Sequence, residues 1–492
     1  MKSFRADSLD AMRGLTIAMM VLCGTIINWV LPYWNSHCQV PPNVGFDPSI
    51  YGITWVDLVF PFFLFSMGAA MPFSVGSRMS RGTRRLTIMF EGLWRGIKLA
   101  FFAIFIQNCY PWVLGGSRGH PADPQIWGIT IGAFFVMFLL FSRLPGNPSR
   151  LVRTAVPVLG LIIACFIMGW AESHVELSEQ FMSTSPSKFA IFDAHLDGIL
   201  YKSNIIILLL GNMAFFGVVI YVLTMGKPIA RLAILPFLMA ILLCKNADGS
   251  WQQAVYNWSP FAWLYRFEFL KYLFVVIPGT IAGEYLRAWI LAGGAKEDSD
   301  RTHRAVSTAM VAILSLALIV VNVTLLYGRH LVENLYISVI LTSLVVYFAH
   351  RMPSDRKILS HLVKAGAFAL ILGLFFEAFQ GGIRKDDPTF SYYFVTTGLA
   401  FYCLALLVIV CDLYRWRTLT APFTLAGKNP MIAYVAPTML IFPVMNLLGI
   451  GDSLTPFWAS TWYWAWARGI LFTAISIAVA GGCSKLKLYW RT

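Results

Sequence analysis

A chain of 492 residues that is 58% hydrophobic and only 13% charged is too apolar for a soluble domain, where about a quarter of residues carry charge. Its formal charge of +14 does not indicate a nucleic-acid binder, because the basic residues are spread over alternate loops and form no single patch. The apolar runs are continuous and do not alternate at period two, which excludes a transmembrane β-barrel.

Those runs recur at the ~17–25 residues needed to cross a hydrocarbon core of about 30 Å. At the start, Asp7-Ser8-Leu9-Asp10 offers a helix N-cap with an acid three residues on. The first span follows over residues 9–31, with Arg13 one turn from Asp10 on the same face. It is too long, and lacks the small-residue cleavage site, for a removed signal. A polar loop, Pro-Tyr-Trp-Asn-Ser-His-Cys-Gln-Val-Pro-Pro, leads from Pro32 to Pro42, and the second span covers 53–75. Further spans are predicted at 93–114, 126–141, 151–170, 204–225, 229–244, 267–289 and 305–326. The last five fall at 331–350, 363–379, 392–412, 431–448 and 462–482. Short runs such as 229–244 leave the count at about 11–14. The expected fold is an all-α, polytopic integral membrane protein, one transmembrane domain over 1–492.

Arg78, Arg81, Arg84 and Arg85 form the densest basic cluster and place the loop after the second span in the cytoplasm. The alternation then puts both termini in the cytoplasm and the loops at 32–51, 171–203 and 245–266 outside. Trp251, Trp258 and Trp263 in the last of these read as interfacial anchors, with a sugar-stacking platform as the alternative. The eight cysteines include no C-x-x-C pair, so neither a metal site nor a disulfide framework is expected.

Ionisable groups inside a bilayer are costly and need a role. Asp57 stands near the outer end of the second span, either pairing with a cation or orienting a histidine or a substrate hydroxyl. Glu91, Arg95 and Lys98 at i, i+4 and i+7 read as a helix-face ion-pair set or as contacts for an anionic cofactor. Structural pairing is expected of Glu268, Lys271, Glu284, Arg287 and Glu377. His37 can take and return a proton near neutral pH, and Asn35, Ser36, Cys38 and Gln39 flank it. Cys38 as a nucleophile is a weaker alternative, since nothing nearby lowers its pKa.

Several segments taken in order are similar to the heparan-α-glucosaminide N-acetyltransferase family, and more closely to its uncharacterised bacterial branch. They are Ser8-Leu-Asp-Ala-Met-Arg-Gly14, the histidine loop, and Gly52-Ile-Thr-Trp-Val-Asp-Leu-Val-Phe-Pro-Phe-Phe-Leu-Phe65. Weaker matches follow at Val276-Ile-Pro-Gly-Thr-Ile-Ala-Gly283, Gly382-Ile-Arg-Lys385 with Thr389-Phe-Ser391, and Leu425-Ala-Gly-Lys-Asn429 with Tyr434, so the resemblance runs over 8–435. The resemblance implies acetyl-CoA used from the cytoplasmic side to acetylate a terminal glucosamine on the opposite face. It also implies a catalytic histidine in the loop where His37 stands.

The chain departs from the family at three places. The family's Asn at the outer end of the first span falls nearest Gly24, so its role is either vacant or passes to Asn28. Asp47 stands nearer the family histidine's position, and Gln107-Asn-Cys-Tyr-Pro111 replaces an Arg-x-x-Gly-Val-Leu-Gln-Arg motif.

The expectation is therefore a transmembrane acyltransferase moving an acetyl or short acyl group from acyl-CoA to an amino sugar or glycan. His37 would be general base or acyl carrier, Asp57 its orienter, and Asn28 or Asn35 the polariser of the thioester carbonyl. Lys428 and Asn429, with Arg95 and Lys98, would hold CoA. Trp34, Gln39, Trp55 and Lys385 would meet the acceptor. The partners expected are acyl-CoA, the glycan and the lipid bilayer of a bacterial inner membrane, with a homodimer left open and no metal or nucleic acid. The alternatives are a sugar or glycolipid transporter or flippase, or a catalytically inactive glycan-binding protein.

Overall fold

The computed structural model describes residues 6–27, 30–37, 49–116, 123–142, 149–173, 188–294, 302–353 and 356–490. Nearly all regular structure among them is helical. The principal helices are α1 (Asp7–Thr25), α2 (Trp55–Met79), α3 (Arg85–Asn108), α4 (Pro124–Phe141), α5 (Arg150–Glu172) and α6 (Ile205–Leu223). They continue with α7 (Ile234–Leu243), α8 (Leu273–Leu291), α9 (Thr302–Tyr327), α10 (Leu331–His350) and α11 (Lys357–Phe375). The last four are α12 (Phe390–Leu407), α13 (Arg417–Ala426), α14 (Pro430–Ala436) and α15 (Trp462–Lys485).

Among the described residues, 12 helices are long and apolar enough to cross a membrane. Every run expected from the sequence contains helix. However, α1 and α3 fall outside the 12, because Asp7, Asp10 and Arg13 lower the hydropathy of one and Arg85, Glu91, Arg95 and Lys98 that of the other.

Burial sorts the helices into an inner group and a rim. The spans containing α2, α12, α8 and α6 are mostly buried, whereas those of α5, α7 and α10 show most of their surface outward. The inner pair α2 and α8 meets backbone to backbone. A Cβ on Gly279 would overlap the Phe65 carbonyl, and one on Gly283 the Ala69 carbonyl. Small residues four apart permit this approach, which apolar solvent alone would not drive. Phe65 then sits edge-on to Phe401 of α12 with centroids 4.8 Å apart.

Most of the acids flagged for structural pairing do pair. Arg231, fully buried, holds Glu284 at 2.9 Å. Lys271 holds Glu268 at 2.6 Å, Arg329 holds Glu377, and Arg13 meets Asp10 at 3.4 Å. Glu91 pairs with Arg78. Helices at 188–201 and 450–458 lie in segments read as loops. Span 431–448 is an α-helix interrupted by a π-turn over Pro437–Ile441.

Candidate active site

His37 meets Asp57 at one end of the bundle. Its Nδ1 lies 2.7 Å from Asp57 Oδ1, close enough for a charge-assisted hydrogen bond. With that nitrogen donating to the carboxylate, Nε2 carries the lone pair, which is the tautomer a general base needs. Asp57 is at the third position of α2. Its Oδ2 accepts the Thr54 backbone N–H at 2.8 Å, as an acid at N3 of a capping box does. Thr54 Oγ1 donates to the Ser36 carbonyl at 2.7 Å, tying the histidine segment to the helix start. Tyr392 OH donates to the Asp57 carbonyl at 2.7 Å. Asp57 is 1% exposed, while the His37 side chain keeps 39% of its surface; the acid is fixed inside and the base stays reachable.

Lys385 completes the cluster from 348 residues away. Its Nζ is 3.0 Å from Nδ1 and 3.1 Å from Nε2 of His37, and 3.9 Å from Asp57 Oδ1. An atom equidistant from both ring nitrogens at that range would overlap Cε1 if it lay in the ring plane. The ammonium therefore lies over the imidazole face and leaves the in-plane direction at Nε2 open. The segment carrying Lys385 is held at both ends. The Gly52 N–H donates to the Ile383 carbonyl at 2.8 Å, and Glu377 Oε2 accepts the Ile383 N–H at 2.8 Å. Lys271 and Lys245 grip Asp387 at 3.2 and 3.5 Å. Burial alone would raise the Asp387 carboxyl, but these two ammonium groups override it and hold the carboxyl below the usual carboxylate range.

Below this cluster α2 runs into a cavity of about 290 Å³. Phe63, Met67, Ala70, Met71 and Ser74 line it at helical spacing. By rise per residue it begins about 9 Å beneath Asp57 and ends about 25 Å beneath. Its far end carries Arg13, Arg95 and Lys428. Arg95 and Lys428 make no ion pair among the described residues, and Arg13 meets Asp10 at 3.4 Å, so three cations converge here. Gly427 fixes Lys428 there, since any Cβ at that position would strike the Asp10 carbonyl of α1.

Between cavity and cluster lies a short polar stretch. Asn204 Nδ2 is 3.3 Å from Tyr434 OH and 3.4 Å from Tyr110 OH. Cys23 of α1 donates to the Met20 carbonyl at 3.1 Å.

Of the residues proposed from sequence, His37, Asp57 and Lys385 come together, and Arg95 and Lys428 share the cavity. Lys98 is not among the cavity's lining residues. Asn429 lines it, but its amide is engaged, donating to Ser484 Oγ at 3.0 Å and the Leu488 carbonyl at 2.9 Å. Asn35 is 1% exposed, and among the described residues neither of its side-chain polar atoms has a partner. Trp34 is exposed, and Trp55 faces Trp466 at 6.3 Å between centroids. Asn28 and Gln39, with Cys38 and Asp47, lie outside the described residues. Arg13, Cys23, Asn204 and Tyr110 were not read as site residues. Arg13 is the one the sequence could have offered, as a cation inside an apolar run.

In the segment departing from the family pattern, Asn108 donates to the carbonyls of Ile104, Ile199 and Lys202 at 2.9–3.1 Å, a packing role.

The model of a family described as a domain of unknown function, DUF5009, matches residues 5–286. That stretch includes Arg13, His37, Asp57 and Arg95 and stops short of Lys385 and Lys428. The chain is also similar to the heparan-alpha-glucosaminide N-acetyltransferase of Homo sapiens, 28% identical over 146 residues, which are 28% of this chain and 20% of that protein. The Mus musculus protein of the same name is 30% identical over 108 residues, 21% of this chain and 14% of its own length. Both matches agree with the resemblance carried by the motifs, and each spans well under two thirds of the relative. With more than half of its length matched, the chain belongs to the DUF5009 family.

Proposed function

We propose that this protein is a membrane-embedded acyltransferase. It moves an acetyl or short acyl group from acyl-CoA, bound at the basic end, to an amino sugar or glycan at the His37 end. The carrying observation is that one face of α2 has a His–Asp–Lys cluster at its start and a cavity with three cations below. Arg13, Arg95 and Lys428 fit the phosphates of CoA, and the apolar wall from Ser74 up to Phe63 fits its uncharged arm. The acceptor's nitrogen or oxygen attacks the thioester carbonyl carbon as His37 Nε2 takes its proton. The carbon–sulfur bond then breaks, and the thiolate leaves with that proton. Asp57 holds the imidazole in the required tautomer, and the Lys385 ammonium offsets negative charge developing on the carbonyl oxygen. Trp55 and Trp34 lie near enough in sequence to meet the sugar.

On this reading the basic end is cytoplasmic, as the loop charges favour, with both termini on that side, 1–492 forming one domain, and the protein spanning a bacterial inner membrane. Purified protein given acetyl-CoA and glucosamine should release thiol, and His37→Ala should abolish release while the protein still inserts. Solute flux in liposomes without thiol release would overturn the proposal in favour of transport.

A further inference from the structure

A second cavity, of about 690 Å³, lies between α7, α8, α11 and α12. Its character is the reverse of the first. Phe274, Pro278, Ile281 and Tyr285 line it from α8, one face of the helix over eleven residues, or about 16 Å. From α11 it takes Phe368 and Leu372, so the furrow runs parallel to both helices. Its length matches half of a hydrocarbon core of about 30 Å, the depth of one leaflet. The furrow opens outward, since Phe368 is 72% exposed and Leu232 41%. Left empty it would deprive a long aromatic and aliphatic wall of dispersion partners.

Thr397, the polar residue near Phe274, donates to the Phe274 carbonyl, and titratable side chains line the furrow at one end only. There His361 stacks on Tyr285 with centroids 4.7 Å apart and planes 7° from parallel, and Lys364 follows one turn on. The helix begins just before them at Lys357, next to Arg351 and Arg356, so this is a basic end. Glu284 and Glu377, acids on α8 and after α11, are engaged by Arg231 and Arg329. Among the described residues no carboxylate is paired with Lys364.

We infer that this furrow binds an anionic phospholipid, one acyl chain lying along α8 and α11 and the phosphate meeting Lys364 and the His361 edge. An apolar channel of leaflet depth with cations at its headgroup end matches both parts of such a lipid. The site is separate from the His37 cluster and does not depend on the acyltransferase reading.

The test is native mass spectrometry of the purified full-length protein offered phosphatidylglycerol or phosphatidylcholine with identical acyl chains. Wild type should retain the anionic lipid about fivefold better, the ratio expected from one basic side chain at an anionic headgroup. Lys364→Glu, at an exposed position the fold does not need, should erase that preference without lowering phosphatidylcholine retention. Ala365→Trp should fill the furrow and reduce retention of both. Equal retention by wild type, or a preference that survives Lys364→Glu, would overturn the inference. So would a protein dimer that Ala365→Trp breaks while retained lipid is unchanged, since the furrow would then seat a second copy.

Discussion

Replacing Asp57 with Asn removes one charge and keeps the shape. The carboxylate accepts from His37 Nδ1 at 2.7 Å on one oxygen and from the Thr54 N–H at 2.8 Å on the other, where Thr54 Oγ1 also lies 3.3 Å away. An amide offers one acceptor and one NH₂. If the NH₂ faces Thr54, two donors oppose each other and the helix start loses its cap, which costs about 1 kcal/mol. If it faces His37, the imidazole must accept at Nδ1 and carry its proton on Nε2, so the base is lost. The second arrangement preserves the backbone, so the fold should survive and catalysis should not. General-base assistance contributes about a hundredfold to ten-thousandfold, and a kcat loss in that range is expected. Because the cavity starts about 9 Å away along α2, acyl-CoA affinity should be unchanged. Thiol release with glucosamine as acceptor measures kcat, and equilibrium binding of CoA to the same sample measures affinity. A variant keeping more than about a third of wild-type kcat, a change too small for loss of general-base assistance, would refute the assignment of His37 as base.

Lys385→Met keeps the stem and removes the charge over the imidazole face; kcat should fall about a hundredfold, with KM for acyl-CoA unaltered in the same thiol assay. Arg95→Ala and Lys428→Ala should each raise KM for acyl-CoA about tenfold to a hundredfold, the equivalent of one charge-assisted hydrogen bond of about 1.5–3 kcal/mol, with little effect on kcat at saturation. The pH profile carries a further prediction. Asp387 has its folded-state carboxyl held below the ordinary range, so its grip on Lys271 and Lys245 is intact above that range and is lost as pH falls through the lowered value. Activity should drop on that acid limb as the Lys385 segment loosens, and Asp387→Asn should show reduced activity across the whole range in a pH–rate measurement.

Span positions were legible because continuous apolar runs report burial in lipid directly. The run at 331–350 coincides with the helix Leu331–His350. Interruptions were not legible. Pro437 and Pro443 lie inside one apolar run, and sequence does not say whether neighbouring helices re-satisfy the freed carbonyls or the helix ends. Here a π-turn absorbs the change. The pairing of His37 with Asp57 was half visible, since a carboxylate one helical turn into a span after a polar loop needs a partner. The position of Lys385 over the same ring was not, because 348 residues separate them and no local pattern encodes a contact between distant helices. Asn429 was legible in its position and not in its bonds. A polar residue at the mouth of a span suggests a ligand, yet its amide ties down the C-terminal segment through Ser484 and Leu488.

The layout of charge along α2 argues for how the two ends cooperate. Moving several phosphates through apolar helices would cost far more than any binding energy available to them. Cations at one end and a base at the other make sense only if the charged part of a substrate stays put and an uncharged part reaches across. The residues between the ends agree with that division. Phe63 and Met67 line the part of the cavity nearest Asp57 along α2, and Asn204, Tyr110 and Tyr434 hold each other and add no charge. An acyl thioester is neutral and can sit in such surroundings. On the proposed reading it would meet its first formal charges at Lys385 and Asp57, beside the His37 ring.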